Sequence, residues 1–168
     1  MKSKPLFNIF ARPQPRKGGQ VGTAPKPKII IDYREKNSLV ISELVQLGFE
    51  VEFKELKVAD YLVRDIAIER KTVSDFISSM INKRLLSQLE ELQQYETKLL
   101  IIEGIDEQEL YANDEEIDGI HPNAVRGFLL SILLKHKVPI IFTKDSQDTA
   151  KFISILARKK SKELSLNV

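Results

Sequence analysis

Ile66-Ala67-Ile68-Glu69-Arg70-Lys71-Thr72-Val73-Ser74-Asp75 is an apolar run that passes directly into three charges and then into a helix start. The apolar part reads as a buried strand. Strand side chains alternate between faces, so Glu69 and Lys71 share one face and Arg70 points to the other. Upstream, Val58-Ala59-Asp60-Tyr61 carries another carboxylate, and Arg64-Asp65 reads as the turn of a hairpin. Antiparallel pairing across that turn brings Asp60 close to Glu69. Two carboxylates beside an ammonium at a strand end suit a divalent cation and a nearby water.

The chain has 168 residues, 42% apolar and 30% charged, which fits one soluble domain with a real core. It holds no cysteine, which excludes a disulfide framework and a thiolate metal site. No apolar run is long enough for a membrane span, and the N-terminal stretch lacks an apolar signal core. The net charge of +2 hides a segregation. Met1–Lys28 carries seven Lys and Arg and no acid, and Arg158–Val168 carries four and one Glu. Ile29–Ala157 is left with 15 basic and 23 acidic residues, about −8. An acidic body flanked by basic tails can meet a polyanion through the tails, through local basic patches or through cations. Alternatively the tails only solvate the chain.

The pattern divides into a disordered basic tail over 1–27, a folded domain over 28–158 and a short basic tail over 159–168. Within the first tail, Leu6, Ile9 and Phe10 of the island 3–10 fall on one side of a helical turn. They either engage a partner or pack back on the domain. Lys28–Asp32 reads as a buried strand. Asn37 or Ser38 caps a helix that Gly48 stops. Phe49–Leu56 alternates as a half-exposed strand. After the hairpin, Thr72-x-x-Asp75 resembles a capping box, so Asp75 has a purely structural reading beside any functional one. Asn82-Lys83-Arg84 breaks the following helix. Arg84 and Gln88 then share a face of the next one, which presents them to a phosphate, toward the metal site or to solvent. Lys98–Gly104 is a second buried strand, with Glu103 at its end as a supporting carboxylate or a solvated terminus. Residues 106–119 form an acidic loop. Pro122 opens a helix to His136, Val138–Thr143 is the last strand, and Thr149–Lys159 is the last helix. His121 and His136 read as structural or solvent-facing rather than as ligands. Val125, Phe128, Leu129, Ile132, Leu133, Phe152, Ile155 and Leu156 on the last two helices exceed what one core contact needs. They mark either an interface or two-sided burial. The order of elements predicts an α/β fold, a mixed central sheet flanked by helices.

Glu69-Arg70-Lys71-x-x-x-Asp75, the preceding Val-Ala-Asp-Tyr and Asp32-Tyr33-Arg34-Glu35 together resemble the nuclease domain of the XPF/Hef structure-specific endonucleases. Lys83-Arg84-Leu85-Leu86-x-Gln88, Ile101-Ile102-Glu103-Gly104 and Gly119-Ile120-His121-Pro122-Asn123-Ala124-Val125-Arg126-Gly127 extend the likeness. It runs from about Ile29 to about Arg158. Two departures stand out. Ala59 replaces the glycine usual before the central Asp, and the chain ends at Val168 without room for a helix-hairpin-helix DNA-binding module.

The resemblance implies a restriction-endonuclease-like fold and a Mg2+- or Mn2+-dependent endonuclease cutting one strand near branched DNA. The competing expectation is a catalytically silent DNA-binding or scaffold partner of a related nuclease. The implied catalytic set is Asp32, Asp60, Glu69, Arg70, Lys71 and Asp75. Asp60 and Glu69 would bind metal with the Arg70 carbonyl, and Asp32 would ligate directly or hold the metal's waters. Lys71 would polarise the attacking water or neutralise the pentavalent state. Arg70, on the opposite face, would lock Asp32, Glu35 or Asp75 in place. Arg34, Arg84 and Gln88 are the candidate DNA contacts. The resemblance also implies a homodimer or heterodimer through the last two helices, and the basic tails with no readable targeting signal lead us to expect an intracellular, DNA-associated protein. The island with Leu6, Ile9 and Phe10 is similar to peptides that dock on sliding clamps, although it lacks the leading Gln and has Ile9 where an aromatic is usual.

Overall fold

A computed structural model describes residues 28–106, 109–111 and 120–158. The clamp-like island with Leu6, Ile9 and Phe10, most of the acidic loop and the C-terminal tail lie outside these residues. β1 (Lys28–Asp32) leads through a 3-10 turn (Tyr33–Glu35) to α1 (Leu39–Gln46) and β2 (Glu50–Lys54). The hairpin β3 (Tyr61–Val63) and β4 (Ile66–Thr72) is followed by α2 (Val73–Ile81) and α3 (Arg84–Glu91). β5 (Thr97–Glu103), α4 (Pro122–Leu134), β6 (Ile140–Thr143) and α5 (Ser146–Arg158) complete the order.

The six strands form one mixed sheet in the order β2-β1-β3-β4-β5-β6. β3 runs antiparallel to both β1 and β4, while β1 pairs parallel with β2, β4 with β5, and β5 with β6. The carboxyl ends of β1, β4, β5 and β6 and the start of β3 therefore meet at one edge. Asp32, Asp60, Glu69 to Lys71 and Glu103 all sit there, the usual place for a site in an open α/β sheet.

Alternation along the strands feeds two cores. Ile29, Ile31, Ile68 and Ile101 pack toward α1 and α5. Ala67, Leu100 and Ile102 pack toward α2, α3 and α4. The central strands are covered on both faces, which is why they read as continuous apolar runs.

Local signals set the boundaries. Ser38 Oγ caps α1 by accepting from the Val40 amide, and Gly48 ends that helix at φ 84°. Lys83, at φ 60°, separates α2 from α3. His121 Nδ1 accepts from the Asn123 amide at 3.1 Å and caps α4, while His136 is buried. α5 begins at Ser146, ahead of the expected Thr149, because Asp145 Oδ1 accepts the Asp148 amide at 2.8 Å.

The apolar surplus is smaller and differently placed than expected. Val125 and Ile132 are core residues. Leu133 and Ile155 are exposed, joined by Leu130 and Leu134 of α4 and by Phe142 of the edge strand β6.

Candidate active site

The hairpin register places Tyr61 opposite Ile68, so Asp60, one residue earlier, faces Glu69. The Asp60 amide donates to the Ile68 carbonyl at 2.9 Å, and the Asp60 carbonyl accepts from the Asp32 amide at 2.8 Å. Asp60 Oδ2 accepts the Arg70 amide at 2.8 Å. Glu69 is buried, and its Oε1 receives both Lys71 Nζ at 3.0 Å and Gln88 Nε2 at 2.6 Å. Burial first, and then the Glu69 charge, push the Asp60 carboxyl up to about 8. Burial also raises Glu69, against the pull of Lys71. Two carboxylates are thus held close together where neither ionises easily.

Arg34 flanks this pair. Its Nε bonds Asp32 Oδ1 at 2.6 Å and its Nη2 bonds the Leu56 carbonyl at 3.1 Å. The hydrogen bond to Asp32 raises its pKa, with smaller contributions from Asp60 and Glu69. A cavity of about 50 Å³ lies between Arg34, Lys57, Glu69, Gln88 and Glu91, floored by Val58 and Ala59. Gln88 Oε1 is buried with no hydrogen-bond partner among the described residues.

Ala59 sits at φ 71° and is 2% exposed. The left-handed backbone explains why glycine is the usual residue before the central Asp in the family this stretch resembles.

Asp32 lies beside the pair, its amide donating to the Asp60 carbonyl. It is buried, its Oδ1 accepts both the Arg34 amide and Nε, and its Oδ2 accepts the Leu56 amide at 2.7 Å. Burial would raise its pKa, but these bonds together hold it below the usual carboxylate range. Among the described residues no three His, Cys, Asp or Glu side chains gather as a metal cluster. Asp32 here anchors Arg34 and the Leu56 loop through both carboxylate oxygens.

Arg70 crosses to the other face, where it pairs with Glu35 at 3.3 Å and bidentately with Glu103. Of its expected partners it takes only Glu35, and neither Asp32 nor Asp75. Burial works to lower its pKa, but the bonds to Glu103 outweigh this and raise it. Glu35 also accepts the Tyr61 hydroxyl at 2.8 Å, and Glu103 accepts Thr149 Oγ1 at 2.6 Å. Glu103 is buried, a supporting carboxylate and not a solvated terminus. The β4–β5 register accounts for it: Arg70 pairs with Ile101, and Glu103 lies two residues on, along the same face.

Asp75 is exposed in the first turn of α2, and its amide donates to Thr72 Oγ1 at 3.2 Å. Its carboxylate has no hydrogen bond or ion pair among the described residues. Arg84 is exposed, while Gln88, four residues on, turns inward to Glu69. The structure thus brings together Asp60, Glu69, Lys71 and Gln88, with Arg34 alongside and Arg70 present through its backbone. Asp75 and Arg84 stay apart from them. Lys57 and Glu91 border the cavity without having been singled out, since each reads as a solvated charge in sequence.

The donor set fits a hard divalent cation. It offers two carboxylates whose mutual repulsion a positive charge would relieve, and an orphaned amide oxygen nearby that could accept from a bound water.

The ERCC4 domain matches residues 31–156. A putative ATP-dependent RNA helicase of Methanocaldococcus jannaschii is 42% identical over 133 residues, covering 79% of this chain and 15% of that protein. The 3′-flap repair endonuclease Xpf of Saccharolobus solfataricus is 32% identical over 148 residues, covering 83% of this chain and 61% of the relative. The chain thus spans less than two thirds of either relative. Among solved structures, XPF from Aeropyrum pernix in complex with DNA superposes with a TM-score of 0.71 at 35% identity, over 84% of this chain and 69% of that one.

Proposed function

The chain belongs to the ERCC4-domain family of XPF-type nucleases, and on that premise we propose that it is a Mg2+- or Mn2+-dependent endonuclease cutting one strand of branched DNA near a single-strand/duplex junction. The observation that carries this reading is the convergence of the Asp60 and Glu69 carboxylates from adjacent strands, with Lys71 bonded to Glu69. Such a group is costly to bury and has no evident structural use.

When bound, a divalent cation supplies charge neutralisation of the phosphodiester and a water of lowered pKa. Asp60 and Glu69 would hold it, with the Arg70 carbonyl as a further oxygen. The Arg70 amide fixes Asp60, and Gln88 fixes Glu69. Lys71, held by Glu69, carries the ammonium that would face the charge developing on the phosphorus oxygens. Arg34, pinned by Asp32, presents its guanidinium to the approaching backbone.

Nuclease chains of this family act beside a second subunit in our reading. The exposed residues Leu130, Leu133, Leu134, Phe142 and Ile155 would form that contact, with a second copy or a related chain. The basic flanks would add counterion release on DNA, so the protein would be DNA-associated in the cell.

The test is cleavage of end-labelled flap, fork and duplex DNA with Mg2+ or Mn2+ and with chelator. Cutting confined to the branched substrates, lost on chelation and in Asp60→Ala, is expected. Cleavage that survives either treatment rejects the assignment. A protein that binds branched DNA without ever cutting it leaves the scaffold reading.

A further inference from the structure

We infer that the surface around Tyr33 is a platform for one unpaired nucleotide of the DNA, its base on the Tyr33 ring and its phosphate on Arg34 and Lys57. The inference rests on the nuclease reading above and deepens it. Tyr33 follows β1 directly at the edge where the carboxylates gather, yet it is 57% exposed. One face of its ring lies against Phe53, with centroids 6.1 Å apart and planes at 23°. Phe53 is the residue of this pair that packs on the core, and the outer face of Tyr33 has no ring or hydrogen-bond partner among the described residues.

That ring borders a cavity of about 550 Å³ lined by Asp32, Tyr33, Arg34, Glu55, Leu56 and Lys57. The volume falls within the roughly 300–1,000 Å³ of ordinary ligand clefts. Its basic groups are placed differently from free surface charges. Arg34 is tethered at Nε by Asp32 and at Nη2 by the Leu56 carbonyl, while 67% of its side chain remains exposed. Asp32 spends its charge on Arg34 and the Leu56 amide, so the remaining acid on the rim is the exposed Glu55. A phosphate is thereby directed to the Arg34 and Lys57 side.

Arg34 also borders the small cavity beside Glu69 and Gln88. The platform and the catalytic cleft therefore share a wall, and a strand laid on one runs toward the other. Only an unpaired base can offer its π face to an aromatic side chain, since duplex bases are already stacked and paired. The platform would favour a single-stranded arm at the point of cutting.

The full chain contains no tryptophan, so Tyr33→Trp installs one indole as a reporter. In chelator, an oligothymidylate should quench its fluorescence, and a blunt duplex at equal nucleotide concentration should not. Tyr33→Ala should weaken oligothymidylate binding about tenfold, and Tyr33→Phe should retain it. Absent quenching, equal quenching by duplex, or unchanged binding by a folded Tyr33→Ala overturns the inference. The reporter and Tyr33→Phe keep the test decisive if Tyr33→Ala does not fold. Because no metal is present, the outcome is separate from catalysis: cleavage without quenching removes the platform alone, and quenching without any cleavage removes the nuclease reading alone.

Discussion

On one face of β4, Arg70 spans Glu103 and Glu35, Tyr61 completes Glu35, and Thr149 completes Glu103. On the other face, one residue either side, Glu69 and Lys71 share their cleft with Asp60 and with a glutamine whose oxygen has no described partner. Both clusters are buried and ionic. The Arg70 side is closed: its cation meets two carboxylates, and those carboxylates meet hydroxyls. The Glu69 side is open: burial pushes both carboxylates upward, the Glu69 charge adds to this at Asp60, and one ammonium does not relieve both. A closed network spends its polarity on the fold. An open one holds unspent binding capacity for something absent from the chain itself.

The largest effect should come from neutralising the open side. Asp60→Asn should cost about a thousandfold or more in cleavage, as loss of a ligand removes several kcal/mol of transition-state stabilisation. The same change should not destabilise the metal-free protein. Folded Asp60 keeps its proton up to about 8, against 3.8 ordinarily, so the folded state binds more protons between those values. Metal-free stability therefore falls as pH rises across that window. Asp60→Asn should melt like the parent below about pH 3.8 and increasingly above it as pH rises toward 8. Mn2+ must displace the same proton, so calorimetric affinity should rise with pH up to about 8. A variant that melts far below the parent at pH 8 would show that the two sides do not differ as described.

The opposite signature belongs to the closed side. Arg70→Met leaves the buried Glu103 and the half-buried Glu35 without their cation and should cost about 3–5 kcal/mol of stability in urea denaturation. Unchanged stability would place Arg70 with the open cluster. Between these extremes lies Gln88→Ala. It keeps the fold but removes one of the two donors on Glu69 Oε1, and should weaken Mn2+ binding about 10- to 100-fold.

This asymmetry also marks what sequence could reveal. The hairpin was legible because the Arg64-Asp65 turn and the alternation beyond it fix the register, and register alone puts Asp60 opposite Glu69. Periodicity could place Gln88 and Arg84 on one helix face. It could not say that docking of α3 on the sheet turns Gln88 toward Glu69 and leaves Arg84 in solvent. Asp32 reads as a candidate ligand or holder of a metal's waters because it is a carboxylate at a strand end. Its actual partners include the Leu56 amide, 24 residues away, which no local pattern predicts. Glu103 needed the parallel register to β4, and its hydroxyl donor Thr149 lies 46 residues away on α5. Local rules reached contacts made within one hairpin, and failed where a loop or a docked helix closes the site.

The smallest predicted effect concerns the residue that delivers Asp60 to the open side. Ala59 adopts φ 71°, which costs an L-residue roughly 1–2 kcal/mol. Its methyl is buried among Val58, Ala67 and their neighbours, which returns about 0.8 kcal/mol. Ala59→Gly would relieve the backbone but lose the methyl and loosen the unfolded chain, so stability should change by less than about 1 kcal/mol. Ala59→Val should behave differently. A β-branched side chain in the left-handed region is strained whatever space surrounds it, and the loss should exceed that of Ala59→Gly by about 2 kcal/mol or more. If the glycine variant proves greatly more stable, the alanine methyl contributes nothing and strain dominates this turn. If valine is tolerated, the turn is free to leave the left-handed region, and Asp60 is not held against Glu69 by backbone geometry.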